Sequence, residues 1–193
     1  MKTIEKTLPE GYNEDFHIDA RNKKTGIILT VVSTFVVLLS VAVALLTVKE
    51  TEIDFPEVLY IAALFIVIMI AYVVLHELVH GAVYKIMTKE KLTFGMSWSC
   101  AFCGVPNVYV YKRTSILSLM MPVTVFSAVF IALAAIFYSV SPALYIIFVI
   151  LEGYNLGGAS GDIFMLYILL FKYKGIETLM RDTGPEQWIY IIK

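Results

Sequence analysis

The stretch "EVLYIAALFIVIMIAYVVLHELVHGAVYKIM", residues 57–87, decides the fold of this chain. At helical rise it is long enough to cross the roughly 30 Å hydrocarbon core of a bilayer. Between its first residue and Lys85, the only charged or imidazole side chains are those of His76, Glu77 and His80. We therefore predict a membrane-spanning helix that carries one short polar cluster.

The rest of the chain is similarly apolar. Of its 193 residues 59% are hydrophobic and only 16% are charged, and no lysine or arginine occurs in residues 114–171. A bilayer requires charge-free runs of this length, and the net charge of −1 argues against a nucleic-acid partner. We predict an all-α integral membrane protein with four transmembrane helices, at residues 26–48, 57–87, 115–138 and 143–171.

The lysines and arginines indicate the orientation of these helices. They cluster in residues 21–24, 85–113 and 172–181, whereas the two other loops carry only Lys49. Because basic residues favour the cytoplasmic side, we expect a multi-pass protein of a bacterial plasma membrane with both termini in the cytoplasm. The predicted parts are a cytoplasmic segment at 1–24, a four-span membrane domain at 25–171 and a cytoplasmic tail at 172–193, with an amphipathic or strand-like end at "QWIYIIK".

Residues 91–113, between the second and third spans, have a different pattern. In "LTFGMSWS", residues 92–99, apolar and polar side chains alternate with the period of a strand. The sequence "VYVY", residues 108–111, indicates a second strand, and turn-forming residues 104–107 precede it. We predict a small β-hairpin, which is either merely structural or offers residues 92–99 as an edge to which an extended substrate adds.

The polar cluster of the second span has the pattern H-E-x-x-H. Residues four apart lie on one face of a helix, so the imidazoles of His76 and His80 can converge on one metal ion. Glu77 follows the first histidine, where its carboxylate can take a proton from a metal-activated water. Zinc is the usual ion at such sites, with a third protein ligand. The alternative interpretation is a set of ordinary polar residues near a helix end.

Two carboxylates in the fourth span are candidates for the third ligand. Asp162 lies as many residues into span four as His76 lies into span two, whereas Glu152 lies near the middle of the bilayer. This depth argument favours Asp162. The surrounding "NLGGASGD", residues 155–162, either packs helices together through small residues or unwinds to line a cavity. Asn155 and Gly158 are candidates for substrate binding, although Asn155 could equally bond a neighbouring helix.

These motifs together resemble a known group. A membrane-embedded "HELVHG" followed by an Asn/Gly-rich stretch that ends in "SGD" resembles small bacterial four-span zincin membrane peptidases, and more distantly the site-2 proteases. The resemblance implies that His76, His80 and Asp162 bind Zn²⁺ and that Glu77 is the general base. The better-known site-2 proteases have a proline-containing Asn-to-Asp-Gly segment, whereas Ile163 follows Asp162 here.

We therefore expect a membrane-embedded zinc metallopeptidase that hydrolyses membrane-protein or hydrophobic peptide substrates near the cytoplasmic face, in contact with the lipid bilayer. The alternatives are a subunit of a divalent-metal transporter and an inactive, protease-like membrane scaffold. Two further motifs are given structural interpretations. The C-x-x-C of Cys100 and Cys103 lacks a partner pair and is interpreted as a packed turn, and residues 182–184, "DTG", are interpreted as a turn.

Overall fold

The fold was analysed in a computed structural model that describes residues 2–48, 55–98 and 100–193. Five helices carry most of the described chain, and the fifth continues into a π-helical turn at Ile168–Lys172. The helices are α1 (Lys23–Thr47), α2 (Phe55–Thr88), α3 (Lys112–Phe137), α4 (Pro142–Gly158) and α5 (Ser160–Tyr167). The strands are β1 (Ile4–Glu5), β2 (Tyr12–Asp19), β3 (Thr93–Met96), β4 (Ala101–Gly104), β5 (Tyr109–Tyr111), β6 (Leu179–Asp182) and β7 (Glu186–Ile192).

The helices agree with the predicted membrane class. Among the described residues, α1, α2 and α3 are long and apolar enough to cross a membrane, and a fourth crossing results if α4 and α5 count as one interrupted span. Many large apolar side chains of α1 and α2 are exposed, among them Phe35, Leu46 and Val67. Such a surface is compatible with contact to lipid. Of the predicted loop between the first two spans, residues 49–54 lie outside the described residues.

Two strong sequence signals define α4. Ser141 caps its N-terminus by accepting a hydrogen bond from the backbone N–H of Leu144, and Pro142 occupies the first turn, where a missing N–H costs nothing. The helix ends at Gly158, and α5 begins after Ala159. The predicted fourth span is thus interrupted within the glycine-rich stretch, as its composition suggested.

The expectation of an all-α chain is corrected by a five-stranded sheet. Its strand order is β1-β5-β6-β7-β2, and every neighbouring pair is antiparallel. Both predicted tails contribute to it, since β2 of the N-terminal segment pairs with β7, the strand-like "QWIYII" end. The sequence did not reveal this pairing because the two strands are far apart in the chain and β2 is rich in charged residues.

The predicted hairpin exists with a different second strand. Residues 93–96 pair with residues 101–104 in a separate two-stranded sheet, across a tight turn in which the Ser97 N–H donates to the Cys100 carbonyl. The predicted partner, "VYVY", instead forms β5 of the large sheet. Val110 in this strand and Val108 directly before it are buried, so the stronger β-forming segment is used in the core. Of the predicted first strand, residue 99 lies outside the described residues.

The chain divides into two compact units. The first comprises Met1–Thr30, His76–Pro122 and Gly161–Lys193, and the second comprises Val31–Leu75 and Val123–Ser160. An apolar core lies in the first unit, where Tyr84 of α2, Leu119 of α3 and Leu169 pack with residues of β5, β6 and β7. This unit contains both sheets and all four residues of the predicted metal site and general base.

The residues of the second unit that the structure describes form helical segments and the turn between α3 and α4. Tyr72 of α2 makes edge contacts with Phe126 and Phe130 of α3, with ring centroids 5.1 and 5.4 Å apart. Gly153 and Gly157 of α4 lie directly against Ser40 and Ser33 of α1. The glycine-rich stretch therefore packs helices closely at Gly157, as does Gly153 two residues before it, which is one of the two roles that its sequence suggested.

Candidate metal centre

Helix α2 brings His76 and His80 onto one face because they are four residues apart. Their ring centroids are 5.0 Å apart, and both residues are only 7% exposed. The helix continues without interruption through these residues to Thr88. A regular helix therefore holds two imidazoles in fixed, neighbouring positions.

Helix α5 supplies a carboxylate to the same place from its first turn. The Oδ2 atom of Asp162 lies 3.4 Å from Nε2 of His76 and 3.2 Å from Nε2 of His80. Two atoms that are each about 2.0–2.1 Å from one tetrahedral zinc ion are roughly 3.3–3.4 Å apart. The spacing of these donor atoms, and the two-nitrogen, one-oxygen donor set, thus fit the ion that the motif implies.

The tautomer of His80 also suits a metal ligand. Its Nδ1 atom lies 2.9 Å from the backbone carbonyl oxygen of Ser118, to which the Nδ1–H donates. The proton is thereby held on Nδ1, and the lone pair of Nε2 points to the side where Asp162 lies. A carbonyl that fixes the ring in this way is a common second partner of metal-binding histidines.

Glu77 is half-buried beside the hairpin. The backbone N–H of Cys103 in β4 lies close enough to its carboxylate to interact with it electrostatically. Hydrogen-bonded and non-hydrogen-bonded pairs alternate along an antiparallel ladder. Ser97 and Cys100 are hydrogen-bonded, so Phe94 and Cys103, three positions further along the ladder, form a non-hydrogen-bonded pair. The N–H of Cys103 therefore points away from β3. The outer edge of β4 therefore lies on the side of Glu77. Within the described chain no other strand pairs with β4 along that edge, and directly after the strand the Val105 N–H donates to the Asp182 carbonyl at 2.8 Å.

Sequence reasoning did not find the two backbone groups at this site. The Ser118 carbonyl orients His80, and the Cys103 N–H lies close enough to Glu77 to interact with it electrostatically. Any residue type except proline offers both of these groups, so no side-chain pattern could have revealed them. Only the placement of α3 and β4 against α2 does so.

The predicted substrate-binding residues lie in the second unit. Asn155 is fully buried, where its Oδ1 accepts from Tyr72 and its amide donates to the Val123 carbonyl, Ser127 and Glu152. The amide therefore has the helix-bonding role that was one of its two interpretations. Gly158 is exposed, and a Cβ added there would have no neighbour within 4 Å. Their roles in substrate binding remain predictions.

Glu152 takes part in the same hydrogen-bond network as Asn155. Its two carboxylate oxygens accept from the Ser127 hydroxyl at 2.7 Å and from the Asn155 amide at 3.3 Å. Among the described residues, the group of three potential ligands that lies within 4.8 Å consists of His76, His80 and Asp162. Of the two carboxylates considered for the third position, the structure therefore brings Asp162 to the histidines.

The C-x-x-C of Cys100 and Cys103 and the "DTG" at residues 182–184 were interpreted as structural. Cys100 and Cys103 are free thiols, and burial raises the pKa of Cys103 to about 12, which keeps it neutral and unreactive. Asp182 begins a turn, with its Oδ1 accepting from the Gly184 N–H at 2.8 Å. Burial also raises the pKa of Asp182 to about 6.

Comparison with known proteins gives one match. Residues 69–176, more than half of the chain, match a family model whose description is "Putative zincin peptidase". No curated protein and no solved structure matches the chain. The matched residues include α2 from before His76, the hairpin and Asp162, so they contain the whole candidate metal centre. The chain belongs to this zincin peptidase family.

Proposed function

We propose that this protein is a membrane-embedded zinc metallopeptidase of the H-E-x-x-H type. The observation that carries the proposal is the convergence of Nε2 of His76, Nε2 of His80 and Oδ2 of Asp162 beside Glu77. Family membership supports a peptidase independently of that geometry. The apolar helices support a protein that resides in a membrane, with the basic clusters and the sheet on the cytoplasmic side.

Each side chain has a distinct role in the proposed reaction. His76, His80 and Asp162 would hold zinc, which when bound supplies a Lewis acid for the scissile carbonyl and the attacking water. Glu77 accepts the proton of that water and delivers it to the leaving amine.

The open edge of β4 supports an extended substrate conformation. Because this edge faces Glu77, a peptide that adds to it as a third strand would place its backbone next to the general base. This assigns the substrate edge to Ala101–Gly104 instead of residues 92–99, in which the side chains of Leu92 and of Phe94 in β3 lie against Gly81 of α2. We infer that the substrate is a hydrophobic peptide or a locally unwound segment of a membrane protein, cut near the cytoplasmic face.

The experiment that tests the site measures zinc per chain by mass spectrometry in detergent-purified protein. We expect about one zinc per chain in the wild type and in Glu152→Ala, and loss of zinc in Asp162→Ala. Glu152→Ala is the matched control because it also removes a carboxylate from the fourth predicted span. Zinc absent from the wild type, or retained without Asp162, would contradict the ligand set.

A second measurement tests the reaction. We expect the wild type to cleave a quenched fluorescent hydrophobic peptide in lipid nanodiscs, and Glu77→Gln to keep its zinc but lose cleavage. Equal cleavage by Glu77→Gln would refute the role of this glutamate. Absence of cleavage by zinc-loaded wild type, with zinc uptake into liposomes, would instead support the transporter alternative.

A further inference from the structure

The turn that follows β6 contacts three separate elements of the first unit through one residue. Asp182 is only 2% exposed. Its Oδ1 accepts from the Gly184 N–H, and its Oδ2 accepts from the Gln187 side-chain amide of β7 at 3.2 Å. A buried carboxylate costs considerable desolvation free energy, so its retention at this position calls for an account of its partners.

One of those partners is on the metal-binding helix. The Tyr84 hydroxyl donates to Oδ2 of Asp182 at 2.7 Å. Tyr84 is one helical turn beyond His80 and is only 1% exposed, so its ring is fixed in the core. The Asp182 side chain is therefore tied to the same face of α2 that presents the candidate ligands.

Another partner is on the hairpin. The backbone carbonyl of Asp182 accepts from the N–H of Val105, the residue directly after β4, at 2.8 Å. The turn also packs tightly on the strand: a Cβ at Gly104 would overlap Gly184 N and Thr183 C and lie 2.9 Å from Gly184 Cα. Gly184 has φ +100°, and a Cβ added there would overlap the Phe102 ring. These contacts leave the end of β4 little freedom to move relative to the turn.

We propose that Asp182 is a positioning residue that sets the open edge of β4 relative to the metal-binding helix. Its carboxylate fixes the turn to α2 through Tyr84, and its carbonyl fixes the same turn to β4 through Val105. Asp182 thereby aligns the strand that receives substrate with the general base. This inference rests on the proposed function, because it takes that edge as the substrate-binding strand.

A matched pair of tyrosine variants tests the inference. Tyr84→Phe removes only the hydroxyl that bonds Asp182. Tyr173→Phe removes a tyrosine hydroxyl elsewhere in the same unit, which donates to Oδ2 of Asp15 at 2.7 Å and accepts from Lys172 at 3.0 Å. We expect Tyr84→Phe to raise KM for the peptide about five- to tenfold, the factor for the loss of one such hydrogen bond, with zinc content unchanged and kcat changed less than KM. Tyr173→Phe should leave both parameters within twofold.

Two outcomes would overturn the inference. One is an equal change of KM in both variants, which would show that the Tyr84 bond contributes only general stability. The other is an unchanged KM in Tyr84→Phe. Peptide cleavage by the wild type, absent in Glu77→Gln, is established first, so failure of the proposed function is recognised separately.

Hydrogen exchange gives a readout that does not depend on activity. In the zinc-loaded, detergent-solubilised protein, we expect Tyr84→Phe to accelerate amide exchange in residues 101–105 about five- to tenfold. Exchange in the β2–β7 pair should stay unchanged. Residues 101–105 that exchange at the wild-type rate in Tyr84→Phe would overturn the inference even if no substrate were cleaved.

Discussion

Replacement of Gly153 by alanine is expected to weaken the second unit by forcing α1 and α4 apart. An alanine Cβ at this position would lie 2.5 Å from Ser40 Cβ and 3.4 Å from Val37 Cα, and would overlap Ser40 Oγ. A rotation of the Ser40 side chain can move its hydroxyl but cannot move its Cβ, which is attached directly to the backbone. The overlap must therefore be relieved by movement of a helix.

The size of the effect follows from these distances. Non-bonded carbon atoms prefer separations of roughly 3.5–4.0 Å, so the two helices would have to separate by about 1 Å at this point. Overpacking of this kind costs about 1–3 kcal/mol of the free energy of unfolding. Alanine also gains up to about 1 kcal/mol in helix propensity over glycine. We expect a net destabilisation of about 1–2 kcal/mol.

The chain provides a control and a rescue. Gly158→Ala, in the same helix, meets no atom within 4 Å and should be neutral or slightly stabilising. Ser40→Gly removes the clashing Cβ, so it should restore stability in the Gly153→Ala background. Reversible unfolding in mixed micelles, followed by circular dichroism, measures all four proteins. A Gly153→Ala variant as stable as Gly158→Ala, or no recovery in the double variant, would refute the reasoning.

Three further predictions concern buried residues. Because burial raises the pKa of Asp182 from 3.8 to about 6, its contribution to stability is fully present below about pH 4 and is lost as the pH rises to about 6, by at most about 3 kcal/mol. In Asp182→Asn the melting temperature should depend less on pH over this window, and an unaltered slope of melting temperature against pH would contradict the assignment. Leu169→Ala should cost about 2–5 kcal/mol in denaturant unfolding, because Leu169 is completely buried in the core of the first unit, whereas a cost below 1 kcal/mol would show that the core collapses around the cavity. Asn155→Leu should cost about 2–3 kcal/mol by the same assay, since Glu152 loses a donor and the Val123 carbonyl loses a partner, and a neutral effect would mean that the amide is dispensable.

The sequence allowed the membrane class and the candidate ligand set to be predicted because both depend on local or one-dimensional patterns. Apolar run length identifies helices that can cross a bilayer, and the four-residue spacing of His76 and His80 places them on one helix face. Asp162 could be chosen over Glu152 because position along a span approximates depth. None of these arguments needs the partners of a strand to be known.

The strand pairings could not be predicted, because they depend on residues far apart in the chain. "VYVY" was assigned to the hairpin since it lies near residues 93–96, yet Val110 pairs with both Ile4 and Met180 in the large sheet. The true hairpin partner, Ala101–Gly104, begins with alanine and ends with glycine, which are depleted in strands, and a short turn brings it into register. The groups that orient His80 and Glu77 were missed because they belong to the backbone.

The pairing of β2 with β7 has a consequence for the order in which the protein matures during translation. The ribosome makes β2 before any of the five helices, and this strand cannot pair with β7 until residues 186–192 have been synthesised. The helices can enter the bilayer one by one in the meantime. The three candidate ligands are complete once Asp162 is made, but the turn at Asp182 that fastens β4 is made later. A nascent chain therefore contains all three candidate metal ligands before the hydrogen bond between Val105 and Asp182 can form beside β4.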